Sequence, residues 1–188
     1  MKKAIIGALV GAILVFGWQA TSHLFFHYHD TAYKQIAGQE EVINTLSGVF
    51  KEDGQYLVPR SNPNSSQEEM AKYDEGMKGK PFALVTYHTA DKSNMGMSAI
   101  RSYTTALLSI LILILILGNN PGNYLSVFLK CIGIAVFVFL FVYYNSNIWL
   151  QTPWEVIRPE LYDLLAAWGL CGIWLGWWLN RKKVRRRI

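Results

Sequence analysis

AIIGALVGAILVFGWQATSHLFFHYHD, residues 4–30, is the stretch whose reading decides the fold. Its first acidic or basic side chain, setting histidine aside, is Asp30 at the very end. A run near twenty residues long without charge reads as a bilayer-spanning helix rather than a core helix of a soluble domain. Gly7 and Gly11 form a small-xxx-small pair with Ala4 and Ala8 beside them, a face that lets another helix approach closely. A cleavable signal peptide is the rival reading, given Lys2 and Lys3, an apolar core and Ala20. Trp18 sits badly at the −3 position of a cut after Ala20, and apolarity continues through Leu24, Phe25 and Phe26. An uncleaved first span over 4–29 is therefore expected.

Outward from this stretch the 188-residue chain divides by composition. The mean hydropathy of +0.17 averages two populations. Residues 30–97 are polar and mixed. Three further apolar runs follow, at 98–118, 124–145 and 160–180, with an interfacial connection over 146–159 and a basic tail over 181–188. Ile and Leu alternate from Ile110 to Leu117, a strand-like pattern by propensity, but an isolated strand in lipid leaves its backbone unpaired, so a helix is required.

Within 30–97, apolar residues from Ile36 to Phe50 recur at helical spacing. Ser65 or Ser66, each with a glutamate three residues on, opens a second helix as a capping box. Short strands are expected at Tyr56-Leu57-Val58 and from Pro81 to Tyr87. The fold class is mainly α: a four-helix transmembrane bundle with a small α/β extracytoplasmic domain between the first and second spans.

The net charge of +5 does not indicate nucleic acid, because its basic excess lies at the two ends of the chain, in Lys2, Lys3 and the RKKVRRR tail. Such ends face lipid headgroups and set orientation. Four spans place both ends in the cytoplasm and 30–97 outside. Cys131 and Cys171 both fall inside expected spans, so no disulfide framework follows.

Two groups carry what chemistry the sequence offers. His23 and His27 are four apart and share a face if the first helix continues, a spacing that suits Zn, Cu or haem iron given further ligands from His29 or His88. The competing reading is of interfacial histidines among aromatics. The topology also gathers His23, His27, Arg101 and Asp163 into an outer-rim polar cluster, with an Arg101–Asp163 ion pair as its central expectation, since ionisable groups at membrane depth are costly unless paired. Lys130 is expected to snorkel to the inner headgroups. Gly172 and Gly176 repeat the packing spacing of Gly7 and Gly11. No phosphate-binding glycine loop, G-x-S-x-G motif or pair of catalytic carboxylates is present.

Gly7-x3-Gly11, Phe16-Gly17-Trp18 and Ser22-His23, then Gly54-Gln55-Tyr56-Leu57-Val58-Pro59-Arg60, then Gly79-Lys80-Pro81 and Val85-x-Tyr87-His88, resemble a group of bacterial inner-membrane proteins with a Trp-containing first helix, a short periplasmic segment and a helical remainder. The resemblance covers the first half of the chain. It implies a bacterial inner membrane and this topology, and carries no activity. The expected function is a non-enzymatic accessory, assembly or scaffold role in an envelope complex, with the lipid bilayer, a membrane-protein partner or a second copy as partners. A metal- or haem-binding accessory protein and a small transporter or lipid-handling protein are the alternatives.

Overall fold

The computed structural model describes residues 2–181; the remainder of the expected basic tail, residues 182–188, lies outside them. Helix makes up 72% of the described residues, which also hold one small two-stranded sheet. In chain order the elements are α1 (Lys2–Phe25), a 3-10 turn (His27–Ala32), α2 (Gln39–Val49), β1 (Gly54–Val58), α3 (Gln67–Met77), β2 (Ala83–Tyr87), α4 (Met95–Leu117), α5 (Tyr124–Val138), a π-helical turn (Phe139–Tyr144), α6 (Asn145–Leu150) and α7 (Trp154–Asn180). They form two compact units: Met1–Lys34 with Ser93–Ile188, and Gln35–Lys92.

In the first unit α1 packs on both α4 and α7, and α7 packs on both α1 and α5. Every one of these neighbours is antiparallel. Gly11 faces Ile110 while Gln19 meets Ser102, and Gly176 faces Tyr124 while Gly172 faces Phe128 and Cys131. The shared core is aliphatic and small: Ala8, Ala12 and Val15 from α1, Ile110 and Leu113 from α4, Val127 and Cys131 from α5, Ala167, Cys171 and Leu175 from α7. Small side chains let the backbones close. A Cβ on Gly172 would lie 3.0 Å from Cys131 Cβ and 3.2 Å from Phe128 Cα, and one on Gly176 would lie 3.0 Å from the Tyr124 carbonyl oxygen. On the α1 side, a Cβ on Gly7 would lie 2.9 Å from Trp178 Cδ1 and one on Gly11 would lie 3.2 Å from Ile110 Cδ1.

Indole N–H groups bind the α1–α7 seam near the start of α1. Trp174 Nε1 donates to the Gly7 carbonyl at 2.9 Å and Trp178 Nε1 to the Lys3 carbonyl at 2.7 Å. Lys3 Nζ donates to the carbonyls of Leu179 at 2.7 Å and Arg181 at 3.1 Å, capping the C-terminal end of α7, where a cation also complements the helix dipole.

Three helical stretches are long and apolar enough to cross a membrane: Lys2–Phe25, Met95–Leu117 and Tyr124–Leu150. Only 28%, 28% and 22% of their most apolar windows are buried against the rest of the chain. The fourth apolar span expected at 160–180 is not among them. Its helix is present and longer than expected, but Asp163 and the four tryptophans between Trp168 and Trp178 lower its hydropathy, since indole favours interfaces over hydrocarbon. Two boundaries also move. The third stretch does not end at 145: its helix passes through a π-helical turn and continues to Leu150. α7 starts at Trp154 after Pro153 and carries Pro159 inside it, past the first turn, so the helix forgoes the bond that residue 159 would otherwise donate to the Glu155 carbonyl.

The second unit pairs β1 and β2 antiparallel, Gly54 opposite Tyr87 through Val58 opposite Ala83. Ser66 and Glu69 form the capping box of α3. The core is thin. Phe50 stacks on Tyr56 with ring centroids 4.0 Å apart and meets Tyr87 edge-on at 5.5 Å, while α2 and α3 bury no residue.

Candidate functional site

The buried stripe of α1 runs through Gly7, Ala8, Gly11, Ala12 and Val15 to Ser22. Trp18 and Ser22, four apart, continue this stripe on the face turned to α7. Opposite them, Asp163 is the buried acidic residue of α7. Helix α1 then stops. Phe26 is extended, with φ −106° and ψ 120°, and the following 3-10 turn folds Tyr28 and His29 back toward Ser22.

Asp163 is thereby surrounded by donors. Its Oδ1 accepts from Trp18 Nε1 at 3.0 Å, Ser22 Oγ at 2.6 Å and Tyr28 Oη at 2.6 Å. Its Oδ2 lies 3.1 Å from His29 Nε2 and 4.0 Å from His23 Nδ1. Such saturation meets the requirement that a buried carboxylate be hydrogen-bonded. Burial, together with the bond to Asp163, pushes the Tyr28 phenol above its ordinary pKa, so it stays a donor. The imidazoles of His23 and His29 stack with centroids 4.1 Å apart, and Tyr28 leans on His29 at 4.6 Å.

Ser22, His29 and Asp163 bring together the residue types of a hydrolytic triad without its geometry. In a triad one imidazole nitrogen takes the serine proton while the other is held by the carboxylate. Here Nε2 of His29 faces both partners, at 2.9 Å from Ser22 Oγ and 3.1 Å from Asp163 Oδ2, and the serine hydroxyl donates directly to the carboxylate. Ser22 is also fully buried, out of reach of a substrate. The cluster joins three segments of chain and holds no activated nucleophile.

The structure places the other expected site residues elsewhere. His27 does not share the face of His23, because the helix breaks between them; it bonds Asp30 at 3.0 Å on the exposed side of the turn. His29, named as a possible further ligand, is the histidine brought beside His23, because the helix ends before it. His88 belongs to the second unit and faces Asp53 there at 3.4 Å. Arg101 is exposed and forms no ion pair among the described residues; where the Arg101–Asp163 bridge was expected, Asp163 is held by Trp18, Ser22 and Tyr28. Lys130 donates to the Pro121 carbonyl at 3.0 Å. Sequence reasoning missed Trp18, Ser22 and Tyr28.

Two other features stand out. A half-polar groove of about 310 Å³ is lined by Gln19, Ser102, Thr105, Ser109 and Trp168, without Arg101, Asp163 or His23. In the second unit Asp53 accepts from Thr89 through both its amide, at 2.9 Å, and its hydroxyl, at 2.6 Å, with Lys92 at 3.3 Å. The Thr89 bonds, then His88, hold the Asp53 carboxyl well below the usual carboxylate range.

No protein-family model, curated protein or solved structure matches the chain.

Proposed function

We propose that this chain is an integral protein of a bacterial inner membrane that acts as a non-enzymatic accessory, assembly or scaffold component of an envelope complex. In this reading α1, α4, the α5–α6 stretch and α7 all cross the bilayer, both termini are cytoplasmic, and residues 35–92 are displayed on the extracytoplasmic side. The low burial of the three apolar stretches supports lipid around them: exposed Ile13, Ile112, Ile116 and Phe141 belong in hydrocarbon, not in water. α7 has 27 residues, about 40 Å of helix, enough to cross the roughly 30 Å core. Its antiparallel pairing along both α1 and α5 supports a fourth crossing.

The observation that carries the scaffold reading is α2. Val42, Ile43, Leu46 and Val49 form an apolar stripe on it, yet the helix buries nothing, and Val49 is 67% exposed. An amphipathic helix with its apolar side open is a docking element of the helix-in-groove kind. Its acidic first turn, Glu40 and Glu41, favours a protein groove over an anionic lipid surface.

The test is site-specific photocrosslinking in native membranes with a probe at Ile43. A discrete adduct with one protein, lost when Val42 and Val49 are both changed to Glu, is the expected result. The same absence of adduct at Ile43 as at the solvent-facing Asn64 overturns the reading.

A further inference from the structure

We propose that His23, His29 and Asp163 form a binding site for one divalent first-row transition-metal ion, of the Zn(II), Co(II) or Cu(II) kind. The donor atoms these residues offer lie within 4.8 Å of one another. Ligands about 2.0–2.2 Å from a tetrahedral ion stand about 3.3 Å apart. The 3.1 Å between His29 Nε2 and Asp163 Oδ2 already fits this spacing. The 4.0 Å between His23 Nδ1 and Asp163 Oδ2 closes when the exposed His23 side chain turns.

The division of labour on the carboxylate points to a ligand. Three donors converge on Oδ1, from Trp18, Ser22 and Tyr28, and fix the plane of the group. Oδ2 receives none of them and faces two imidazoles. Hydrogen-bonded fixing of one oxygen while the other faces imidazoles is how surrounding groups orient a metal-binding carboxylate. Access is also graded. The His23 side chain is 61% exposed, while His29 and Asp163 are 15% and 10% exposed, so the site has one open side and two anchored ligands. An ion enters past His23 and keeps water in its remaining position.

Binding requires two local changes. His29 carries its proton on Nδ1, leaving the Nε2 lone pair for the ion. His23 gives up its Nδ1 bond to the Gln19 carbonyl, 3.0 Å away, and turns out of its stack on His29, because parallel rings 4.1 Å apart do not aim their lone pairs at one point. Its exposure leaves room to turn. Two imidazoles and one carboxylate suit zinc, cobalt or copper better than calcium or magnesium, which take oxygen ligands. The site is independent of the docking role of α2.

The experiment uses the full-length, tag-free protein in detergent, stripped with a chelator, with Zn(II) titrated calorimetrically and Co(II) followed by visible absorption. One saturating equivalent is expected for both ions. His23→Gln, an exposed position that leaves the buried network intact, weakens binding at least about tenfold. His29→Gln weakens it further, and His27→Gln and His88→Gln leave it unchanged. Thermal unfolding of His23→Gln without metal matches the parent. No saturable binding overturns the proposal, as does equal weakening by His27→Gln and His23→Gln.

Discussion

Trp18 donates its indole N–H to Asp163 at 3.0 Å across the seam of α1 and α7, and Ser22, one turn on, donates to the same oxygen at 2.6 Å. Two successive turns of one apolar helix are thus fastened to a single carboxylate of another. In low dielectric such bonds are stronger than at a surface, and an unpaired member is costly. Ser22→Ala removes one donor and is expected to cost about 1–3 kcal/mol. Asp163→Ala orphans the three donors Trp18, Ser22 and Tyr28 at once and is expected to cost more than any single-donor variant. Unfolding of the purified protein in detergent, with His27→Gln as a neutral control, measures the order. Equal stability of Asp163→Ala and the parent contradicts the network.

Arg101 provides the complementary case. Without an ion partner among the described residues, Arg101→Gln is expected to change stability by less than about 0.5 kcal/mol. The paired exchange Arg101→Asp with Asp163→Arg is expected to be no more stable than Asp163→Arg alone. Rescue by the double exchange would restore the ion pair that the geometry lacks.

The glycines separate by what surrounds them. Gly172→Ala forces a methyl to within 3.0 Å of Cys131 Cβ and 3.2 Å of the Phe128 backbone, and is expected to destabilise by about 1–3 kcal/mol. Gly133→Ala and Gly17→Ala meet nothing within 4 Å, so the gain in helix propensity, up to about 1 kcal/mol, decides their sign. The same unfolding assay on the three variants checks the contrast.

Asp53 sets an acid limit on the second unit. Its folded-state pKa is depressed, chiefly by the Thr89 hydroxyl and amide, so its contribution is complete above the ordinary carboxylate value and is lost as pH falls through the lower folded value. Carboxyl NMR of the full-length protein is expected to show Asp53 titrating below the other aspartates. Thr89→Val moves it upward, and protection of the residue 89 amide from exchange then ends at a higher pH than in the parent. An unmoved Asp53 titration in Thr89→Val contradicts the assignment.

Much of the helical framework was legible because length and apolarity impose it: the apolar runs within 4–25 and 98–117 would have no alternative to helix in hydrocarbon, and the Ser66–Glu69 capping box marks its helix locally, whereas the expected continuation of the first helix to 29 fails at Phe26. The site was less legible. Periodicity assumes that a helix continues, and that assumption paired His23 with His27. Nothing local marks Phe26 as the break; it follows from Tyr28 and His29 finding a buried acceptor on a helix more than a hundred residues away. Continuing the stripe of Gly7, Gly11 and Val15 by one and two turns would have turned Trp18 and Ser22 inward, toward a partner that needs donors. Arg101 misled for the opposite reason: charge complementarity suggests a pair, but a carboxylate bound by the three neutral donors Trp18, Ser22 and Tyr28 does not require one.

The most direct test of the central claim is the side of the membrane on which each connection lies. Single cysteines at Asn64, Asn119, Gln151 and the C-terminus, in a chain with Cys131 and Cys171 replaced by alanine, are labelled in intact cells by a membrane-impermeant maleimide. Four crossings label Asn64→Cys and Gln151→Cys from outside, and Asn119→Cys and the C-terminal cysteine only after permeabilisation. Labelling of the C-terminal cysteine from outside, together with Asn64→Cys, would mean that α7 does not cross and would contradict the account.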